Sequence, residues 1–220
     1  MSLLLFLLKV VGISLSGALA PGPVTAAAIG MGSGNRFAGV FMALGHGIVE
    51  FPLMVLLLLG VGRLLKLPYV KVVIGLAGGG FLILLATQMF QGLAGPGTEQ
   101  VQTTAGSPLT AGILLSAGNP YFLIWWATVG LTLITTAKSS FGLPGFGLMA
   151  VAHWSCDLVW LAALSWASFE GSTLLGPAGQ RVVLTLCATA MVGFGLYFIV
   201  LQAIALKRMN YRVSSNATDQ

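Results

Sequence analysis

From Leu3 to Ile29 the chain is apolar enough to lie in a membrane, yet Pro21 and Pro23 stand inside that run with Gly22 between them. A proline inside a helix removes a backbone hydrogen bond and clashes with the carbonyl four residues back. In lipid the freed groups must find protein, water or a ligand. The stretch Ala20-Pro21-Gly22-Pro23-Val24-Thr25 therefore reads as a membrane helix whose backbone opens. Gly22 suits an N-cap and Pro23 the first position of a second half-helix, whose unpaired N–H groups and partial positive charge favour an anion. Ser116-Ala117-Gly118-Asn119-Pro120 repeats the device, with Asn119 as cap and Pro120 opening the helix.

Composition places such breaks in a membrane protein. The chain is 57% apolar and only 7% charged, with a mean hydropathy of +0.96, outside the soluble globular range. Apolar segments run from Leu3 to Ile29, Phe37 to Val61, Tyr69 to Gln91, Leu109 to Thr135, Gly145 to Phe169 and Val182 to Leu206. Between them lie Gly32-Ser33-Gly34-Asn35, Leu67-Pro68, Gly95-Pro96-Gly97, Ser139 to Pro144 and Gly176-Pro177-Ala178-Gly179. At about 20 residues per span this gives six transmembrane helices. The first and fourth are long enough to be kinked spans or re-entrant pairs. Small residues near Gly17 to Ala20 imitate a secretory cleavage site. Lys9 interrupts the apolar core, no basic residue precedes it and Pro21 would follow the cut, so a membrane helix is the better reading.

Basic residues orient the spans. Arg63, Lys66, Lys71, Lys138, Lys207, Arg208 and Arg212 fall on one side, against Arg36 and Arg181 beside Glu99 and Glu170 on the other. The positive-inside rule then puts both termini in the cytoplasm, and the formal charge of +5 needs no nucleic-acid partner. Set out in threes, the segments repeat. Pro21-Gly22-Pro23 answers to Asn119-Pro120, Gly45-His46-Gly47-Ile48-Val49-Glu50 to Ala152-His153-Trp154-Ser155-Cys156-Asp157, and Gly79 and Gln88 to Gly193 and Gln202. An odd number of spans per repeat inverts one half against the other, a plan common in secondary transporters. The expected fold is an all-α integral membrane protein of two inverted three-helix repeats, residues 1–95 and 109–207. A linker, 96–108, joins them and a polar, unstructured cytoplasmic tail, 208–220, follows.

Chemistry concentrates in the second and fifth helices. His46 and Glu50 are four apart, as are His153 and Asp157, so each pair shares a helical face. Glu50 and Asp157 are the carboxylates within the expected spans, where an ionisable group costs at least ~2.5–3.5 kcal/mol and is retained mostly on a polar pathway. Pro52 frees the carbonyl of Ile48 close to Glu50. Histidine changes charge near neutral pH, which suits proton coupling through His46, Glu50, His153 and Asp157. The same four residues also suit a divalent metal ion, and they would equally serve as packing glue in a structural subunit. Opened backbone at two helix breaks argues against a scaffold. Gly75, Gly78, Gly79, Gly80, Gly193 and Gly195 read as close-packing positions, Cys156 and Cys187 as buried thiols, and the tryptophans as packing or cavity-lining residues. No nucleophile or nucleotide loop marks an enzyme.

The stretch from Ser16 to Pro23, the glycines that follow to Gly45, and Asn119-Pro120 resemble the lysine exporter (LysE/RhtB-type) family over nearly the whole chain. Asp157 falls where such proteins commonly carry an acid in the fifth helix; His46 and Glu50 lie outside that pattern. The resemblance implies export of amino acids or related metabolites across the cytoplasmic membrane by a secondary active transporter, driven by a proton or cation gradient without a cofactor. The wider superfamily includes metal exporters, which keeps divalent-metal export as the alternative. It also includes thiol-disulfide carriers, which need cysteines beside the breaks; residues 24–28 and 121–125 contain none. Pro21, Gly22, Pro23, Thr25, Asn119 and Pro120 are the expected substrate-binding residues, with the carboxylate of a zwitterion at one half-helix N-terminus and its ammonium near Glu50 or Asp157. Expected partners are that substrate and the lipid bilayer, with a homodimer left open.

Overall fold

The computed structural model describes residues 2–20, 22–60, 67–94 and 106–218, and all its regular elements are helical. They are α1 (Leu3–Ala18), α2 (Pro23–Gly32), α3 (Ala38–Leu58), α4 (Pro68–Ala94), α5 (Pro108–Ala117), α6 (Pro120–Trp125), one π-helical turn (Trp126–Gly130) and α7 (Leu131–Thr218). Pro21, Arg63, Lys66, Glu99, the Gly95-Pro96-Gly97 breaker and most of the expected linker lie outside the described residues. α7 is not one rod. Its backbone leaves helical geometry at Gly142 (φ 66, ψ −161) and Gly176 (φ 64, ψ −171), a region in which glycine meets no side-chain penalty. Three segments result, 131–141, 143–175 and 177–218. The last continues as helix to Thr218, where an unstructured tail was expected; after Gly195 no glycine or proline stops it.

Both expected breaks are present. α1 and α2 meet at 77°, with Gly22 as extended N-cap and Pro23 in the first turn of α2. α5 ends at Ala117, and Asn119 caps α6 with Pro120 in its first turn. By length and apolarity four stretches can cross a membrane, Ala38–Leu58, Pro68–Gln91, Tyr121–Leu174 and Arg181–Lys207, and α1 with α2 makes a fifth. The count differs from six because Tyr121–Leu174 runs through the Gly142 break as 54 residues. At 1.5 Å per residue that is about 80 Å, against about 30 Å of hydrocarbon core. The expected fourth span is distributed over α5, α6, the π turn and the start of α7. Leu4, Leu8, Leu59, Leu84, Val159, Leu174 and Leu186 point outward and more than half exposed, as side chains facing lipid do.

Close helix approach at glycine holds the bundle together. A Cβ on Gly45 would collide with the Leu109 carbonyl oxygen, one on Gly112 with that of Met42, and one on Gly39 with that of Leu161. α3 is thus clasped between α5 and the 143–175 segment. α4 meets the 177–218 segment reciprocally: a Cβ on Gly79 would lie 2.7 Å from the Gly195 oxygen, and the reverse distance is also 2.7 Å. Gly193, the expected counterpart of Gly79, has open space instead. The C-terminal end of α2 is tied to α7 by hydroxyls. Ser165, Ser168 and Ser172 donate to the carbonyls of Arg36, Ile29 and Ser33 at 2.8, 2.6 and 2.9 Å.

Two apolar clusters form, and α3 belongs to both. Met42 and Ala43 pack into one, with Ala28, Leu85, Leu115 and Leu161; Leu53, Met54 and Leu57 pack into the other, with Phe6, Trp126, Ile134 and Met149. His46 and Glu50 lie along α3 between these groups. The 143–175 segment is built alike, with Met149 and Ala150 in one cluster, Leu161 in the other, and His153 and Asp157 between. The polar pairs therefore sit on the seam.

Overpacking a glycine contact of this kind costs about 1–3 kcal/mol. Gly45→Val should lower the melting temperature of the detergent-purified protein clearly, whereas Gly80→Ala, into open space, should not. Equal thermal shifts for the two would remove the clasp from the account of the fold.

Candidate functional site

Glu50 is completely buried on α3, and its Oε1 gathers three nitrogen atoms. His46 Nε2 lies at 3.1 Å, His153 Nε2 at 3.1 Å, and Trp126 Nε1–H donates at 3.2 Å. The histidines of both sequence pairs thus meet at one oxygen. A buried carboxylate is tolerated when paired and hydrogen-bonded, and three nitrogens on one oxygen supply that. Pro52 lies two residues further along α3, which stays helical through it.

The far side of each imidazole is held by a buried serine. His46 Nδ1 is 2.7 Å from Ser116 Oγ, which is 2.6 Å from the Gly112 carbonyl oxygen. His153 Nδ1 is 2.7 Å from Ser14 Oγ, which is 2.7 Å from the Val10 carbonyl oxygen. A hydroxyl has one proton to give. Given to the carbonyl, it leaves the serine accepting from Nδ1–H; turned to Nδ1, it leaves Nε2–H to donate to Glu50. Rotation of the hydroxyl therefore accommodates the ring with or without a proton on Nδ1, with no heavy atom moving. Phe122 stands edge-on to His46 at 4.9 Å, and Trp126 and Trp125 flank His153 at 4.8 and 5.1 Å.

The halves use their acids differently. Asp157 Oδ2 lies 3.5 Å from His153 Nε2 and has no hydrogen-bond partner, and its side chain is 14% exposed. Glu50 Oε2 is likewise without a partner. Both acids line a cavity of about 300 Å³ that reaches both helix breaks. Gly22, Pro23, Thr25 and Asn119 line it too, so most of the expected binding residues converge with the expected coupling residues. Pro120 opens α6 beside them. His46, Glu50 and Asp157 place one ligand atom each within 4.8 Å of one another, so spacing alone would also admit a cation.

The two breaks differ in what they offer an anion. Asn119 Oδ1 accepts from the N–H of Tyr121 at 3.0 Å and of Phe122 at 3.4 Å, and its carbonyl accepts from Leu123 at 3.2 Å. Pro120 has no N–H, so the first turn of α6 is satisfied from within. At α2 no side chain caps the helix. Thr25 Oγ1 instead turns back to the Ala20 carbonyl at 3.4 Å. An anion is better received at Gly22-Pro23 than at Asn119.

Trp125 and Trp126 line the cavity, one of the uses expected of the tryptophans; Ser14 and the roles of Ser116 and Trp126 in holding His46 and Glu50 escaped the sequence reading. Their one signal is polarity inside an apolar helix, which a serine bonded to its own helix also shows. Of the other tryptophans, Trp154 donates to the Ala43 carbonyl at 2.9 Å and Trp166 is exposed beside Arg36. Among the described residues Cys156 and Cys187 are free thiols.

The family model of the LysE type translocator matches residues 15–202, a range that includes every residue lining the cavity. The chain belongs to the LysE type translocator family. It is a multi-pass membrane protein and a transporter, of a family that exports amino acids, and not an enzyme. This membership does not favour the metal-exporter alternative. No curated protein and no solved structure matches the chain.

Removing one partner of a buried hydrogen bond costs about 1–3 kcal/mol. Ser116→Ala should therefore destabilise the protein visibly in a thermal melt, and Ser155→Ala, whose hydroxyl bonds only its own helix, should be near neutral. A silent Ser116→Ala would show that His46 does not depend on that hydroxyl.

Proposed function

We propose that this translocator exports a zwitterionic amino acid across the cytoplasmic membrane by proton-coupled alternating access. The observation that supports it most is the convergence of His46, Glu50, His153, Asp157 and both helix breaks on one cavity. The substrate carboxylate is received at the uncapped N-terminus of α2, at Gly22-Pro23-Val24-Thr25. Its ammonium lies against Asp157, with Glu50 Oε2 as a second acceptor. The proton resides in the His46–Glu50–His153 group, where an arriving ammonium competes for the same carboxylate.

Six spans follow if α1 with α2, and α5 with α6, the π turn and residues 131–141, each count as one broken crossing. The 143–175 and 177–218 segments then supply the fifth and sixth. In that arrangement three helices before the linker face three inverted ones after it. The reciprocal Gly79–Gly195 contact and the matched seam positions of the two His pairs support it. The basic residues put both ends of the chain on the cytoplasmic side, and a gradient drives the cycle without a cofactor.

Glu50→Gln keeps the shape of the side chain and the acceptor for Trp126 while removing the charge. In proteoliposomes it should reduce gradient-driven amino-acid efflux at least ~10-fold, as loss of one essential proton-transfer group does, while the protein elutes as a folded species. Efflux at the wild-type rate would rule Glu50 out as the coupling residue.

A further inference from the structure

We infer that the amino acid carried is neutral with a large apolar side chain, of the leucine, methionine or phenylalanine kind, in preference to dibasic amino acids; this rests on the exporter reading. Charge decides first. Among the described residues no lysine or arginine lines the cavity, and the acids that do are Glu50 and Asp157. Oε1 of Glu50 already has three nitrogen partners. Glu50 Oε2, on a completely buried residue, and Asp157 Oδ2 are buried carboxylate oxygens without a hydrogen-bond partner. Both acids stand around the same histidine, and one ammonium group with its three N–H donors satisfies them.

A second cation on the substrate would find no third acid among the described residues. The lining also includes Val24, Leu161, Phe194, Tyr197 and Phe198. Placing an unpaired ammonium there is unfavourable, and placing hydrocarbon there is favourable, since it removes apolar area from water on both partners. Aromatic rings hold cations elsewhere, but Phe122, Trp125 and Trp126 already pack against His46 and His153. Size agrees. A cavity of about 300 Å³ has room for a branched or aromatic side chain beside the zwitterionic head, whereas serine or threonine would leave the aromatic wall uncovered. The carboxylate end is provided for by α2, ten residues long and without a side-chain cap.

The test uses the wild-type protein in proteoliposomes loaded singly with labelled leucine, phenylalanine, threonine or lysine at equal concentration, with efflux followed under an imposed proton gradient. Leucine and phenylalanine should leave at least about tenfold faster than lysine, the discrimination expected when a buried group lacks its partner. Lysine leaving as fast as leucine, or threonine alone leaving, would overturn this inference and keep the exporter reading. Efflux of none of the four would overturn both. As a second measurement, Phe194→Asp supplies the missing acid, and the ratio of lysine to leucine efflux should rise about tenfold. Because a ratio is read, a lower yield of folded protein does not obscure it. An unchanged ratio in a variant that still transports leucine would show that Phe194 does not face the side chain.

Discussion

One carboxylate oxygen, Glu50 Oε1, ties the halves of this protein together. His46 comes to it from the same helix, His153 from a segment more than a hundred residues away, and Trp126 from the π turn. Each histidine is in turn seated by a serine on a half-helix that ends at a break. An isolated carboxylate at this depth would be prohibitive, so the group is stable only when all of these parts are in place. The helices around it are positioned accordingly.

Packing makes that positioning possible. Backbones approach to contact at Gly39, Gly45 and Gly112, which brings α3 against both α5 and the 143–175 segment. The same closeness sets Ser116 beside His46 and Glu50 beside His153. Apolar clusters on either side of the seam exclude lipid from it, and the opened backbones at Gly22 and Asn119 line the space that remains. The breaks therefore give the site its shape, and the glycines give it its short distances.

Asymmetry arises within a repeated pattern. His46 and Glu50, like His153 and Asp157, are four residues apart on one helical face, yet Glu50 takes both imidazoles and Asp157 is left at 3.5 Å. Likewise Asn119 satisfies its own helix start, while Gly22 leaves that of α2 open. One half thus holds the occupied acid and the open helix end, and the other holds the available acid and the closed helix end. A ligand with opposite charges at its two ends has one orientation that uses both vacancies.

Much of this is legible before any coordinates. The sequence by itself determined that the chain lies in a membrane, that its first and fourth apolar runs open at Pro23 and Asn119-Pro120, and that two histidine–acid pairs face inward. These follow from proline chemistry, the cost of charge in lipid and helical periodicity, all of which act over a few residues. Tertiary structure alone decided that the two histidines share one oxygen, that Ser14, Ser116 and Trp126 complete the group, and that Asp157 remains available. Periodicity tells which side chains are neighbours along one helix. Which helix stands opposite, and at what distance, depends on backbone contacts between residues far apart in the chain, and no local pattern encodes them.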